Sequence, residues 1–118
     1  MKNPMKVHYL EIVTPDVQKI CVSYTQALGV SFSGPITELG GACMATLGDG
    51  LTLGIRAPMH TAEEPTIRPY YLVSDIEKAV KDAEESGAEV AVSPMEIPGR
   101  GKCAILFYGT IQSGLWQV

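Results

Sequence analysis

The segments "VHYLEIVTPD" (7–16) and "RPYYLVSD" (68–75) decide the fold, because each is a strand running into a helix start. Each is an extended stretch rich in β-branched or aromatic residues, ending on an aspartate placed to cap a helix. After Asp16 the chain reads as a helix whose apolar face is Val17, Ile20, Cys21, Tyr24 and Leu28, closed by Gly29. After Asp75 a second helix is expected, with Ile76, Ala79, Val80 and Ala83 on its apolar face and Gly87 at its end. Asp16 corresponds to Asp75 and Gly29 to Gly87, an offset of about 59 residues, so the chain carries one unit twice.

Three extended stretches follow each helix. In the first half they are "VSFSGPI" (30–36), "GACMATLG" (41–48) and "LTLGIRA" (51–57), separated by glycine-rich turns. In the second half they are "AEVAVSPMEI" (88–97), "GKCAILFYG" (101–109) and "SGLWQV" (113–118). The polar, proline-bounded segment 58–66 reads as a linker. The expected architecture is therefore α+β in one domain, residues 1–118. Module one is about 6–57 and module two about 67–118, each a βαβββ unit, with a curved mixed sheet around a cleft and helices outside.

Composition narrows the partners. A formal net charge of −4 and the absence of any Lys/Arg cluster argue against nucleic acid or an anionic membrane surface. No apolar run approaches the roughly 18 residues needed to span a bilayer. The N-terminal residues lack the apolar stretch of a signal peptide, so a cytosolic setting is expected. Three cysteines, Cys21, Cys43 and Cys103, form no C-x-x-C pair and read as reduced, buried thiols.

The doubled order resembles the vicinal oxygen chelate superfamily, which includes glyoxalase I, bleomycin-resistance proteins and extradiol dioxygenases. The residues carrying the resemblance are "YLEIVTPD" (9–16), "SYTQALGVSF" (23–32), "PYYLVSDIEKAV" (69–80), "SGAEV" (86–90), "PMEIPGRGKCAIL" (94–106) and "GLWQ" (114–117). The "PMEIPGRG" and "LWQ" pairing is similar to a glyoxalase-like subgroup labelled "putative hydroxylase". The resemblance implies a homodimer, in which sheet edges are covered. It also implies a cleft whose metal-dependent members hold a metal by four side chains on the first, fourth, fifth and eighth strands.

On this chain those four positions fall at Tyr9, Gly54, Arg68 and Gly114. Glycine has no side chain and arginine no lone pair to give, so the reading is that no metal and no cofactor is held there. A one-residue slip would bring in His8, at the cost of turning its apolar neighbours Leu10 and Ile12 away from the helix. A set made from His8, Glu11 and His60 lacks close ligand spacing.

Alternation places Tyr9, Glu11, Arg56, Arg68, Tyr70 and Trp116 toward the cleft. Aromatic rings and guanidiniums together suit a small planar or anionic organic molecule. Tyr9, Arg56, Arg68, Tyr70 and Trp116 are thus the candidate ligand contacts, although either arginine could instead face solvent. Glu11 is either a general base or substrate anchor, or one half of an ion pair with Arg56 or Arg68. The segment "EIPGRGK" (96–102) is either a lid on the cleft or an ordinary hairpin loop. Three functions remain: a metal-independent small-molecule-binding protein, a glyoxalase- or dioxygenase-like lyase or oxidoreductase with an atypical or metal-free site, and a non-catalytic dimerisation or regulatory module.

Overall fold

The structure, a computed structural model, describes residues 5–118. The chain forms two compact units. One is Tyr9–Ile67, and the other joins Arg68–Val118 with residues 5–8.

In the first unit β1 (Val7–Val13) leads into α1 (Val17–Leu28), followed by β2 (Pro35–Ile36), β3 (Ala42–Thr46) and β4 (Thr52–Arg56). The strands lie in the order β2-β3-β4-β1, with β1 parallel to β4 and the other neighbours antiparallel. The second unit runs β5 (Thr66–Leu72), α2 (Ile76–Glu85), β6 (Glu89–Ile97), β7 (Gly101–Tyr108) and β8 (Ile111–Gln117). Its order is β5-β8-β7-β6, again with one parallel pair, β5 and β8. The two units repeat one topology, as the doubled sequence pattern requires, and the linker spans only the residues between Arg56 and Thr66.

Each helix covers one face of its own strands. Cys21 of α1, flanked by Val17, Ile20 and Tyr24, lies against Ile12, Cys43, Leu53 and Ile55. Ile76, Val80 and Ala83 of α2 bury against Ala104, Leu106 and Leu115. Alternation therefore sends Leu10, Ile12, Leu53 and Ile55 to the helix side of the first unit. Tyr9, Glu11, Gly54 and Arg56 take the opposite side, in the register Glu11 to Gly54 and Val13 to Arg56. No helix among the described residues is long and apolar enough to cross a membrane.

Three local expectations are corrected. The stretch 30–36 forms only the two-residue β2, followed by a single 3-10 turn at Thr37–Leu39. Ser33 takes over the pairing instead: its N–H donates to the Met44 carbonyl at 2.8 Å, and its hydroxyl accepts from the Met44 N–H at 3.0 Å. With Pro35 lacking a donor, local side-chain bonds replace a longer ladder. Leu28 does not join the core; it is 65% exposed at the last turn of α1, beyond the reach of the strands.

The two helix starts also differ. Asp75 accepts from the Lys78 N–H at 3.1 Å, a working cap. Asp16 makes no side-chain cap, and its own N–H donates to Thr14 Oγ1 at 3.1 Å. At the far end Gly29 adopts φ 70° and donates its N–H to the Thr25 carbonyl at 3.0 Å, ending α1 as expected. The caps make a direct comparison: Asp75→Ala is expected to destabilise the protein by about 1 kcal/mol. Asp16→Ala should fall well short of that. Urea unfolding of both variants decides it, and equal losses would refute the assignment of a cap to Asp75 alone.

Candidate functional site

In the first unit the side opposite α1 is organised by one guanidinium. Arg56 Nε donates to Glu11 Oε2 at 2.7 Å. Its Nη1 and Nη2 donate to the two carboxylate oxygens of Glu63 at 2.9 and 2.7 Å, and Nη1 also reaches the Ala57 carbonyl at 3.2 Å. Glu63 in turn accepts from the Met59 N–H at 2.7 Å, which ties the linker to the end of β4. Burial opposes the Arg56 charge, but the hydrogen bonds and charges of Glu63 and Glu11 outweigh it and hold the guanidinium above its ordinary pKa. Of the two roles open to Glu11, the geometry displays the ion pair.

Tyr9 closes the remaining space on this side. Its hydroxyl lies where a Cβ on Gly54 would have to be, so the ring crosses β4 only because residue 54 has no side chain. Glycine is needed here for close approach and not for an unusual φ.

The second unit repeats the device. Tyr70 stands opposite Gly114 in the parallel β5–β8 pair, and its ring occupies the space a Cβ at 114 would need. Tyr70 meets Trp116 edge to face, with ring centroids 5.6 Å apart and an interplanar angle of 82°. Arg68 lies on the same side. Its Nε and Nη2 donate to Gln112 Oε1 at 3.1 and 2.6 Å, and Nη1 donates to the Tyr70 hydroxyl at 3.3 Å. Trp116 Nε1–H donates to the Arg100 carbonyl at 2.8 Å, which fastens the turn after β6 over the indole.

His8 meets Trp116, with ring centroids 5.6 Å apart and a tilt of 46°. Burial first, and the Lys6 charge second, push its pKa below the ordinary value. His60 is exposed in the linker.

The second unit thus brings Arg68, Tyr70 and Trp116 together, while Tyr9, Glu11 and Arg56 lie together in the first. All six are only 4 or 5% exposed, so these side chains form filled interiors and not the walls of an open pocket. A groove of about 870 Å³ in the second unit is lined elsewhere, by Leu72, Val73, Asp75, Lys78 and Val118 among others. Two polar residues had no place in the sequence reading. Glu63 carried no signal, being one acid in a polar linker. Gln112 shares alternation with Gly114 and Trp116, but β8 begins at Ile111, ahead of the 113–118 stretch that the sequence pattern marks.

The metal that the superfamily resemblance implies can be tested against these side chains. Gly54 and Gly114 cannot be replaced by ligand-bearing residues while Tyr9 and Tyr70 hold their places. Arg68 is a donor, not a ligand. Among the described residues no group of three or more His, Cys, Asp or Glu gathers to hold a metal ion. The residues present do not fit a divalent metal of the superfamily type.

Two outcomes test this geometry. Gly114→Ala should destabilise the protein by about 1–3 kcal/mol through overpacking. Combined with Tyr70→Ala, which removes the ring that the new methyl strikes, it should cost less than the two single losses added together. Urea titration of the four-protein cycle measures this, and strict additivity would disprove the clash. For His8 the folded pKa is depressed, so the unfolded chain binds more protons below about pH 6.5. Stability should then fall as pH drops from that point toward the lowered folded pKa and level off beneath it. His8→Gln should flatten this part of the melting-temperature profile, and an unchanged slope would show that His8 does not cause it.

No family model matches the sequence, and no curated protein matches it. Solved structures do match in shape. A hypothetical protein from Bacillus halodurans C-125 aligns with a TM-score of 0.77 at 13% identity, over 98% of this chain and 96% of that one. Methylmalonyl-CoA epimerase from Mycobacterium tuberculosis aligns with a TM-score of 0.73 at 13% identity, over 94% and 86%. A variant of the Streptomyces coelicolor methylmalonyl-CoA epimerase, in complex with 2-nitronate-propionyl-CoA, aligns with a TM-score of 0.69 at 14% identity, over 95% and 96%. At such identities the likeness is one of fold, and the fold is that of the vicinal oxygen chelate (glyoxalase/bleomycin-resistance) proteins, as the doubled βαβββ order implied.

Proposed function

We propose that this chain is a small-molecule-binding protein that works without a metal and takes a small planar or anionic organic ligand. The observation that carries the reading is the cluster of Arg68, Tyr70 and Trp116 on one side of one unit, with Arg68 Nη1 3.3 Å from the Tyr70 hydroxyl and the Tyr70 and Trp116 centroids 5.6 Å apart. A guanidinium beside two rings offers charge for an anion, with Gln112 and the Tyr70 hydroxyl as the partners it would exchange, and a stacking surface for a planar group. The aromatic filling at Gly54 and Gly114 supports metal independence, since it leaves no room for ligand side chains there.

Because Trp116 is buried, entry requires a movement. The turn whose Arg100 carbonyl accepts from the indole is the simplest cover to open, as it lies beyond the β6–β7 ladder and closes through Arg100 N–H to the Ile97 carbonyl at 2.9 Å. This gives the turn 98–100 the role of a lid, while the rest of the segment 96–102 stays paired in the β6–β7 hairpin. The structural neighbours whose names include coenzyme A derivatives support an anionic organic molecule as the class to try first. Pairing of two copies and a cytosolic setting belong to the same reading. Tyr9 and Arg56 enter it as supporting side chains in their own unit, with Arg56 already engaged by Glu11 and Glu63.

Trp116 is the sole tryptophan, so its emission reports on this cluster directly. Titration with acyl-CoA thioesters and with planar aromatic carboxylates, in the presence of EDTA, should give a saturable change in emission for at least one class. Arg68→Met should weaken that binding at least tenfold while Arg68→Lys retains part of it, with circular dichroism confirming that both variants fold. If saturable binding appears only on adding a divalent metal, or if none of the probes perturbs Trp116, the reading is wrong.

A further inference from the structure

The buried face of α1 brings together two thiols that ligand binding does not use. Cys21 points from the helix into the cluster that contains Cys43 of β3, beside Ile12, Leu53 and Ile55. Both thiols are buried and neither is in a disulfide. They touch: the Cys21 thiol has its ionisation opposed first by burial, then by the neighbouring Cys43, with which it shares a hydrogen bond. Cys103, the third thiol, belongs to the other unit.

Cys21 also has a route to solvent. A groove of about 410 Å³ opens beside it, lined by Val22, Thr25, Gln26, Ser31 and Phe32. Two sulfurs in contact, one of them at the floor of a groove, make a dithiol and not merely two buried hydrophobes. Joining them takes a sulfur–sulfur bond of about 2.05 Å across the helix–strand contact.

We propose that Cys21 and Cys43 form a redox-active pair, converted to an internal disulfide by a small-molecule disulfide that enters the groove beside Cys21. The Cys21 thiolate attacks one sulfur of the incoming disulfide, forming a mixed disulfide and releasing the first small thiol. The Cys43 thiolate then attacks Cys21 Sγ, forming the internal bond and expelling the second small thiol. Both cysteine sulfurs are oxidised, both halves of the small disulfide are reduced, and the two cysteine protons leave on the released thiols. The product ties α1 to β3. Burial makes the first thiolate scarce, so the exchange is slow and gated by local opening of α1.

Oxidised glutathione is the probe. The folded, full chain is incubated with it, then denatured, alkylated, and cleaved with a protease that cuts after glutamate, which separates the two cysteines at Glu38. The expected product is a monomer two hydrogens lighter, with the Cys21 and Cys43 peptides linked and Cys103 alkylated. Cys43→Ser should stop the reaction at one glutathione carried on Cys21, and Cys21→Ser should leave Cys43 alkylatable. The oxidised wild-type protein should melt at a higher temperature than the reduced protein, because the crosslink restricts the unfolded chain. Full alkylation of both cysteines after incubation, a link to Cys103, or a link only between chains would overturn the proposal.

Discussion

The close approach of a tyrosine ring to a strand that has no side chain to repel it is the contact on which the rest of each unit depends. Tyr9 takes the space at Gly54, and Tyr70 takes it at Gly114. In each unit that glycine lies on the strand parallel to the one bearing the tyrosine. The side opposite the helix is thereby filled by aromatic volume, and buried polar groups must be satisfied by one another. Arg56 finds Glu11 and Glu63, and Arg68 finds Gln112 and Tyr70. Such networks are costly to leave incomplete, since an unpaired buried charge destabilises by about 3–5 kcal/mol.

The same packing limits what the side opposite each helix can hold. Ligand side chains on a sheet require both the right residue and empty volume above it. Here the glycines remove the first and the tyrosines remove the second. In the second unit the Arg68 guanidinium is oriented by Gln112, and the Trp116 indole N–H donates to the Arg100 carbonyl of the turn above it.

How far the sequence could be read follows from which constraints are local. The Asp75 cap, the αL residue at Gly29 and most of the apolar face of each helix are set within a few residues, and the repeat multiplied that information by two; the Asp16 cap and Leu28, at the ends of α1, did not follow. The glycines at 54 and 114 could be placed by strand register, because each partner strand imposes a period of two. What the glycines are for was not legible, since only three-dimensional packing shows that a tyrosine ring fills the gap. Glu63 was invisible for a different reason. Its partner, Arg56, closes a loop whose own residues have no periodicity, so nothing in the spacing marks one acid over Glu64 beside it.

The failure at residues 30–36 belongs to the same division. A run of β-branched and aromatic residues looked like a strand, but strand identity is a property of the partner as much as of the segment. Ser33 offers Met44 both a backbone donor and a side-chain acceptor, and Pro35 can give no ladder donor, so the pairing shrinks to two residues. The edge of the first unit is thereby short and irregular, a form that resists adding a foreign strand. In the second unit the edge strand β6 is long but broken by shifts of register between Val90 and Val92 and again between Val92 and Met95. Both edges are thus blunted by different means.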